Sequence, residues 1–420
     1  MNLNYKYGLL TAVSMVVGSV IGSGVFFKAE NINIITGGSV FAAVSAWSIG
    51  AIVMILCLFS FVLITRKEKA EGIYSIAKAA LGERYAYYVG LFMAIVYYPS
   101  LVSVLSYLSA RYTLVAIGAG NKYFFCLPLS LAYLIVAFLQ NALYPKLSGR
   151  VQIIATFLKL IPLVLMIVLG ISKGLETKLL LENISHKSNI APRESLFPAL
   201  TATLFAYEGW ISAISVGKNL KNSRRNLPLA LLIGGFIISA VYILYYLGVM
   251  GAVSSTTLAN YGTEGIKIAF SNILGKWGSL LTAFVSISCV GALNALVMGC
   301  QSLTNEFFSK KPRSSFLAGL TTSLLWLFYL LGEEGGGLGR FQFDSTELPV
   351  VTIYALYIPI FFSFAKKEKN KKSIILYAGG ICACLFVLFC GVLAHAEELI
   401  SYAMVLFGIM LFGTLFHKKR

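Results

Sequence analysis

The chain has 420 residues, of which 58% are hydrophobic and only 12% charged. Soluble domains carry roughly 25% charged residues, so this chain cannot cover a water-facing surface and an ordinary soluble enzyme is excluded. The formal net charge of +17 would suit nucleic acid. The basic residues, however, stand in short clusters between apolar stretches and not among aromatics on one face, which is a mark of membrane topology.

Apolar segments long enough to cross ~30 Å of hydrocarbon recur along the whole chain. In order they are expected near 8–28, 39–64, 85–110, 123–142, 150–171, 195–217, 228–252, 278–304, 315–332, 346–365, 373–393 and 399–416. Spans of this length satisfy their backbone in lipid only as helices, so the expected fold is an all-α membrane protein of about twelve transmembrane helices. No cleavage pattern precedes the first span, which is expected to be retained. Placing both termini in the cytoplasm puts basic residues on the inner side by about two to one, as the positive-inside rule requires. An inner or plasma membrane protein with many passes is the expected localisation.

The first span carries the least usual stretch, Val17-Gly18-Ser19-Val20-Ile21-Gly22-Ser23-Gly24-Val25-Phe26-Phe27. A glycine inside a helix costs about 1 kcal/mol relative to alanine. Gly18 and Gly22 suit close helix packing of the GxxxG kind. Gly22-Ser23-Gly24 is tighter than packing needs and suits a local unwinding, whose freed N–H groups at a half-helix N-terminus bind a carboxylate. In the fifth span, Lys159 lies about nine residues, or ~13 Å, from Arg150 and is too deep to snorkel easily. It is expected to form a structural ion pair, stand in for a bound cation or exchange a proton.

The sixth span holds Phe205-Ala206-Tyr207-Glu208-Gly209-Trp210. A charge at mid-membrane costs ~2.5–3.5 kcal/mol on insertion scales and so faces a cavity or a partner. Glu208 is either a hydrogen-bonded structural acid or a group on the solute path. Gly209 permits a second helix break, with carbonyls that would accept bonds from an ammonium group. Lys159 and Glu208 are the two deep charges the sequence places in the membrane. The eighth span offers Ser286, Ser288, Cys289, Gly291 and Asn294 as interhelical glue or cavity lining.

The cysteines lie almost entirely in apolar spans, read as small packing residues with no metal-ligand spacing beyond the apolar Cys382-Ala-Cys384. Histidine occurs at His186, His395 and His417, with no paired set for a metal and no catalytic triad. No cofactor is expected. No loop is long enough for a nucleotide-driven motor, so transport would be secondary or facilitated. The expected partners are the bilayer and a small solute, with no nucleic acid; both a monomer and a homodimer suit the pattern. A receptor or channel that does not carry solute is the reading from another class, and saturable counterflow separates it from a carrier.

At these residues the sequence resembles the amino acid–polyamine–organocation superfamily, in its L-amino-acid transporter branch. The resemblance rests on Gly18–Phe26, Phe205–Trp210 followed by Leu220–Pro228, and Ser288–Asn294, with Trp47, Gly50, Gly72–Tyr74 and Ala80–Gly82 in weaker support. It implies a LeuT-like fold of two inverted repeats. Residues 1–171 would hold helices 1–5, 172–365 helices 6–10, and 366–420 a peripheral pair. Helices 1 and 6 would be unwound at the midplane.

The resemblance further implies that the backbone of Ile21, Gly22, Ser23 and Gly24 receives the substrate carboxylate. Carbonyls around Phe205 and Ala206 would take its ammonium group, with Tyr207, Glu208, Ser288 and Asn294 completing the site. Lys159 matches a lysine that replaces a sodium ion in sodium-independent relatives. The implied activity is exchange, or proton symport, of small or medium neutral L-amino acids. A cationic amino acid or polyamine paired with Glu208 is the alternative. The chain departs from the family pattern at Glu208, where many relatives have Gly or Asp. It departs again at Lys218-Asn219 in place of an acidic pair, at Ser223 in place of Pro, and at Gln301 in place of Arg.

Overall fold

The computed structural model describes residues 7–22, 24–67, 72–119, 123–186, 190, 192–261, 263–308, 312–334 and 344–417. The described residues are overwhelmingly helical, and nine of their helices are long and apolar enough to cross a membrane. The order begins with α1 Leu9–Val20, α2 Gly24–Ile35, α3 Val40–Lys67 and α4 Ile73–Leu81. It continues with α5 Glu83–Ala116, α6 Tyr123–Leu143, α7 Pro145–Glu176 and α8 Leu179–Ser185. Then come α9 Pro192–Ala206, α10 Ile211–Ser215, α11 Ser223–Ala252, α12 Ser255–Tyr261 and α13 Thr263–Leu274. The last are α14 Leu281–Phe307, α15 Pro312–Glu334, α16 Glu347–Lys367, α17 Lys371–Ala394 and α18 Leu399–His417.

Two of the expected spans are discontinuous: α1 stops at Val20 and α2 starts at Gly24, while α9 stops at Ala206 and α10 starts at Ile211. The first span also runs on to Ile35, further than its apolar stretch suggested. Lys28, Glu30, Asn31 and Asn33 give α2 a polar side that reads as loop by hydropathy alone. That side is used. Asn33 donates to the Ser255 carbonyl at 2.9 Å and accepts from Ser255 Oγ at 3.0 Å, pinning α2 to α12.

The interior is built around α1, which packs on α7, α11 and α14. Outside this group α3 lies along α11 and α17, and α5 along α14. Helices α7 and α11 meet backbone to backbone through glycines. A Cβ on Gly170 would sit 2.3 Å from the Gly248 carbonyl oxygen, and one on Gly251 2.1 Å from the Gly170 oxygen. Small residues at such a crossing let dispersion and weak polar contacts replace the hydrophobic drive that lipid removes.

The N-terminal end of the bundle is closed by a short clamp. Tyr7 N–H donates to Asn219 O at 3.2 Å, and Lys221 N–H donates to Tyr7 O at 3.0 Å. At the other end Lys28 of α2 approaches Glu347 of α16 at 3.7 Å, and His395 Nε2 meets Glu347 at 2.9 Å. His395 Nδ1 also lies 3.6 Å from Glu398, and the Phe205 ring of α9 stands edge-on to the imidazole. Asp344 caps α16 by accepting from the N–H groups of Thr346 and Glu347.

The bond to Glu347, reinforced by the charges of Asp344 and Glu398, raises the His395 pKa above its ordinary 6.5 against partial burial. A raised histidine value means this contact is complete below about 6.5 and is lost as pH rises through the higher folded value. Thermal stability in detergent should therefore fall as pH rises above about 6.5, and His395→Gln should flatten that limb. Parallel pH profiles for the two proteins would contradict the assignment.

Candidate substrate site

The first break is held by polar groups from neighbouring helices. Ile21 leaves the helix at φ −77°, ψ 89°, so the carbonyls of Gly18 and Ile21 have no onward helical partner. The fully buried ammonium of Lys159, on α7, takes both, at 2.9 Å and 2.6 Å, together with Ser288 O of α14 at 3.1 Å. Ser288 Oγ adds bonds to Ile21 O at 3.2 Å and Gly22 O at 3.1 Å. An ammonium has three donors, and here all are spent on carbonyl oxygens. No carboxylate takes part in this set.

Glycines at the break divide into two kinds. A Cβ on Gly18 would fall 2.0 Å from Gln152 Nε2, so close packing explains that residue. A Cβ on Gly24 would meet nothing within 4 Å, and one on Gly22 would have its nearest contacts at 3.8 Å. These two border open space, at the start of α2 where N–H groups and the positive end of the helix dipole point outward. Ser23 lies outside the described residues.

The second break crosses the first. Gly209 has φ +117°, a left-handed conformation that side chains rarely adopt, and a Cβ there would lie 2.8 Å from Ser19 O. Tyr242 of α11 ties both breaks together, donating to Val20 O at 2.9 Å and reaching Ala206 O at 3.1 Å. Tyr207 turns away from the crossing, bonds Trp47 O at 3.0 Å and packs on Trp47 and Tyr242. Glu208 is 7% exposed and accepts from Tyr97 OH at 2.7 Å. Tyr97 closes a π turn, Met93–Tyr97, inside α5, a bulge that resets its direction toward the carboxylate.

Between the breaks is a cavity of about 240 Å3. Gly22, Gly24, Phe205, Ala206 and Glu208 line it, as do Ser19, Val20 and Gly209. Apolar side chains of α5 and α16 form a wall, with Leu101, Val104, Leu105 and Val350. Ile21, Lys159, Tyr207, Ser288 and Asn294 do not line it and stand behind the backbone that does. Asn294 donates to Gln152 Oε1 at 2.8 Å and Ser148 O at 3.2 Å, and accepts from Asn141 at 3.1 Å. It thereby joins α14 to α6 and α7.

Sequence reasoning missed Lys28 and Glu347, which line the cavity at its rim, and Tyr242. A signal for Lys28 was present: it follows Gly24 by one helical turn, directly after the apolar Val25-Phe26-Phe27. The Lys28 ammonium donates to Ala202 O at 2.9 Å and sits 5.8 Å from the Phe205 ring centre.

Such a cavity offers N–H groups and a helix N-terminus on one side and carbonyls and an acid on the other, a complement to a small zwitterion. A family model for amino acid permeases matches residues 7–415. The chain belongs to the amino acid permease family. This permease is therefore a multi-pass membrane transporter of amino acids. It is 27% identical over 400 residues to the serine/threonine exchanger SteT of Bacillus subtilis (strain 168), covering 89% of this chain and 87% of that protein. The b(0,+)-type amino acid transporter 1 of Mus musculus is 26% identical over 368 residues, 86% of this permease and 70% of its own length. The Homo sapiens cystine/glutamate transporter is 24% identical over 309 residues, 72% of this permease and 60% of its own length.

Proposed function

We propose that this permease is a sodium-independent exchanger of small or medium neutral L-amino acids that works by alternating access. The observation that carries the reading is the Lys159 ammonium, bonded to Gly18 O, Ile21 O and Ser288 O at the first break. A fixed cation in a cage of carbonyls supplies the charge that a bound sodium ion would otherwise bring, and it travels with the protein. Exchange is favoured over proton symport by the exchange activity in the name of the serine/threonine relative.

In this reading α1 with α2 is the first of about twelve transmembrane helices, and α9 with α10 the sixth, each unwound at the midplane. Residues 1–171 and 172–365 form the inverted repeats, and 366–420 the peripheral pair. Both termini face the cytoplasm of an inner or plasma membrane, so the Tyr7 clamp is the inner closure and the Lys28–Glu347 contact the outer rim. The substrate carboxylate sits on N–H groups of the Ile21–Gly24 backbone, Ser23 included. The carbonyls of Phe205 and Ala206 take the ammonium group on lone pairs that Tyr242 leaves over. Lys159 and Ser288 act through the first break, Tyr207 anchors the second to Trp47, and Asn294 holds α14 to α6 and α7. Release inward requires the Tyr7 clamp to part.

A cationic substrate is the second reading, favoured by one observation: Glu208 lines the cavity. Glu208→Gln separates the two, because glutamine retains an oxygen for the Tyr97 hydroxyl and loses only the charge. Uptake into liposomes should stay within about threefold of wild type for a neutral substrate. For a cationic one, losing a desolvated charge pair should lower uptake by about a hundredfold. Collapse with every neutral amino acid would overturn the leading reading.

A further inference from the structure

Where α16 passes into α17 the chain reads Lys366-Lys367-Glu368-Lys369-Asn370-Lys371-Lys372, five lysines and one acid in seven residues. All five lysines are exposed. The Glu368 side chain is turned inward, where it pairs with Lys67 at the end of α3. It also accepts from the N–H groups of Lys369 and Asn370, at 3.0 and 3.1 Å. Asn370 Oδ1 caps α17 by accepting from Lys372 N–H at 3.0 Å. The turn is thus fixed in shape, and its one acid is spent on fixing it. Two of the ammonium groups are occupied as well. Lys367 donates to Ala79 O of α4 at 2.9 Å, and Lys366 stands 4.6 Å from the centre of the Phe362 ring. The ammonium groups of Lys369, Lys371 and Lys372 have no hydrogen-bond or ion-pair partner among the described residues.

Large apolar side chains begin within a turn on either side of the lysines. Phe362 is 52% exposed and Ile375 69%, on helices long and apolar enough to cross a membrane. Side chains of this kind on spanning helices face hydrocarbon, so the lysines beside them stand at the level of the lipid headgroups. A basic bias toward one side is general in multi-pass proteins, but it requires neither such crowding nor a turn of fixed shape. Three unpaired cations within four residues repel one another, and an anion among them removes that repulsion. We propose that Lys369, Lys371 and Lys372 form a site for the phosphate of an anionic phospholipid, whose chains enter the hydrocarbon beside Phe362 and Ile375. The site stands apart from exchange, and the sidedness described above puts it in the inner leaflet. Each lysine close to an anionic lipid surface contributes a factor of about five in affinity, or roughly a hundredfold for the three.

The test is a melting-temperature titration of the purified permease in neutral detergent, with phosphatidylglycerol or phosphatidylcholine added to the micelles. A ligand that binds the folded state raises its melting temperature. Wild type should respond to phosphatidylglycerol at a concentration at least tenfold lower than to phosphatidylcholine. Lys369→Gln, Lys371→Gln and Lys372→Gln combined should raise the phosphatidylglycerol needed for the same shift about a hundredfold. Arginine at the same three positions should keep the wild-type response. Should the combined glutamine variant not be recovered folded, Lys371→Gln alone should raise the requirement about fivefold. A glutamine variant that titrates like wild type would overturn the site, as would equal responses to the two lipids. Glycerol 3-phosphate, a phosphate without chains, separates a lipid from a soluble anion: a shift equal to that of phosphatidylglycerol at equal concentration would overturn the lipid. None of these readings involves transport, so their failure leaves exchange untouched, and a permease without exchange activity leaves the lipid site standing.

Discussion

Lys159→Met should lower amino acid transport by at least tenfold and reduce thermal stability as well. The side chain is wholly buried and packed within 3.3 Å of the position a Cβ on Gly291 would take, so little space exists for water to replace its head. Methionine matches its length and removes the ammonium from the carbonyls of Gly18, Ile21 and Ser288, of which Ile21 O keeps the Ser288 hydroxyl. Each unpaired buried acceptor costs about 1–3 kcal/mol. The protein would relieve that cost by rewinding or shifting the first break, and the cavity would lose its shape. Uptake in liposomes and a melting curve of the same preparation measure the two effects. A variant with wild-type uptake would show that the break stands without the ammonium.

Gly209→Ala should be the more damaging of two glycine substitutions that look alike in sequence. At φ +117° an alanine is strained, and its Cβ would press on Ser19 O at 2.8 Å. Strain of this type costs about 1–3 kcal/mol, and the backbone contact adds to it because neither break can yield without the other. We expect a lower yield of folded protein and transport reduced by at least tenfold. Gly24→Ala is the matched control. Space around Gly24 is open, so stability should be kept while a methyl group at the cavity rim raises the half-saturation concentration. Equal melting temperatures for Gly209→Ala and wild type would refute the crossing of the two breaks.

Much of the fold was legible because a bilayer imposes length. Each long apolar run had to be a helix, and the observed α3, α11 and α17 begin and end within a few residues of the expected spans. Amphipathic helices were not legible in that way. Helix α4, α2 beyond Phe27, and the pair α12 and α13 carry too many polar residues to register as spans. Asn33 of α2 meets Ser255 of α12, a pairing that hydropathy cannot foresee.

At the site, local chemistry was readable and distant pairing was not. Lys159 and Glu208 stand out because a charge in an apolar run needs a reason, and glycines announced both breaks. Tyr242 looked like any aromatic in the seventh span, and only the fold brings it to Val20 and Ala206 together. By sequence Asn294 is a candidate for the substrate; the structure places it behind the cavity, tied to Gln152 and Asn141. Small polar residues on a buried helix serve either role, and the choice depends on what three other helices present.

Amino acid exchange by this permease is driven, in the proposed function, without sodium. Its most direct test loads the purified permease into liposomes with unlabelled serine or threonine, the substrates named for one relative, and follows entry of labelled amino acid in choline buffer. Uptake should be saturable, stimulated by internal substrate and unchanged when sodium replaces choline. Uptake that requires sodium, or shows no stimulation by any internal amino acid, would contradict it.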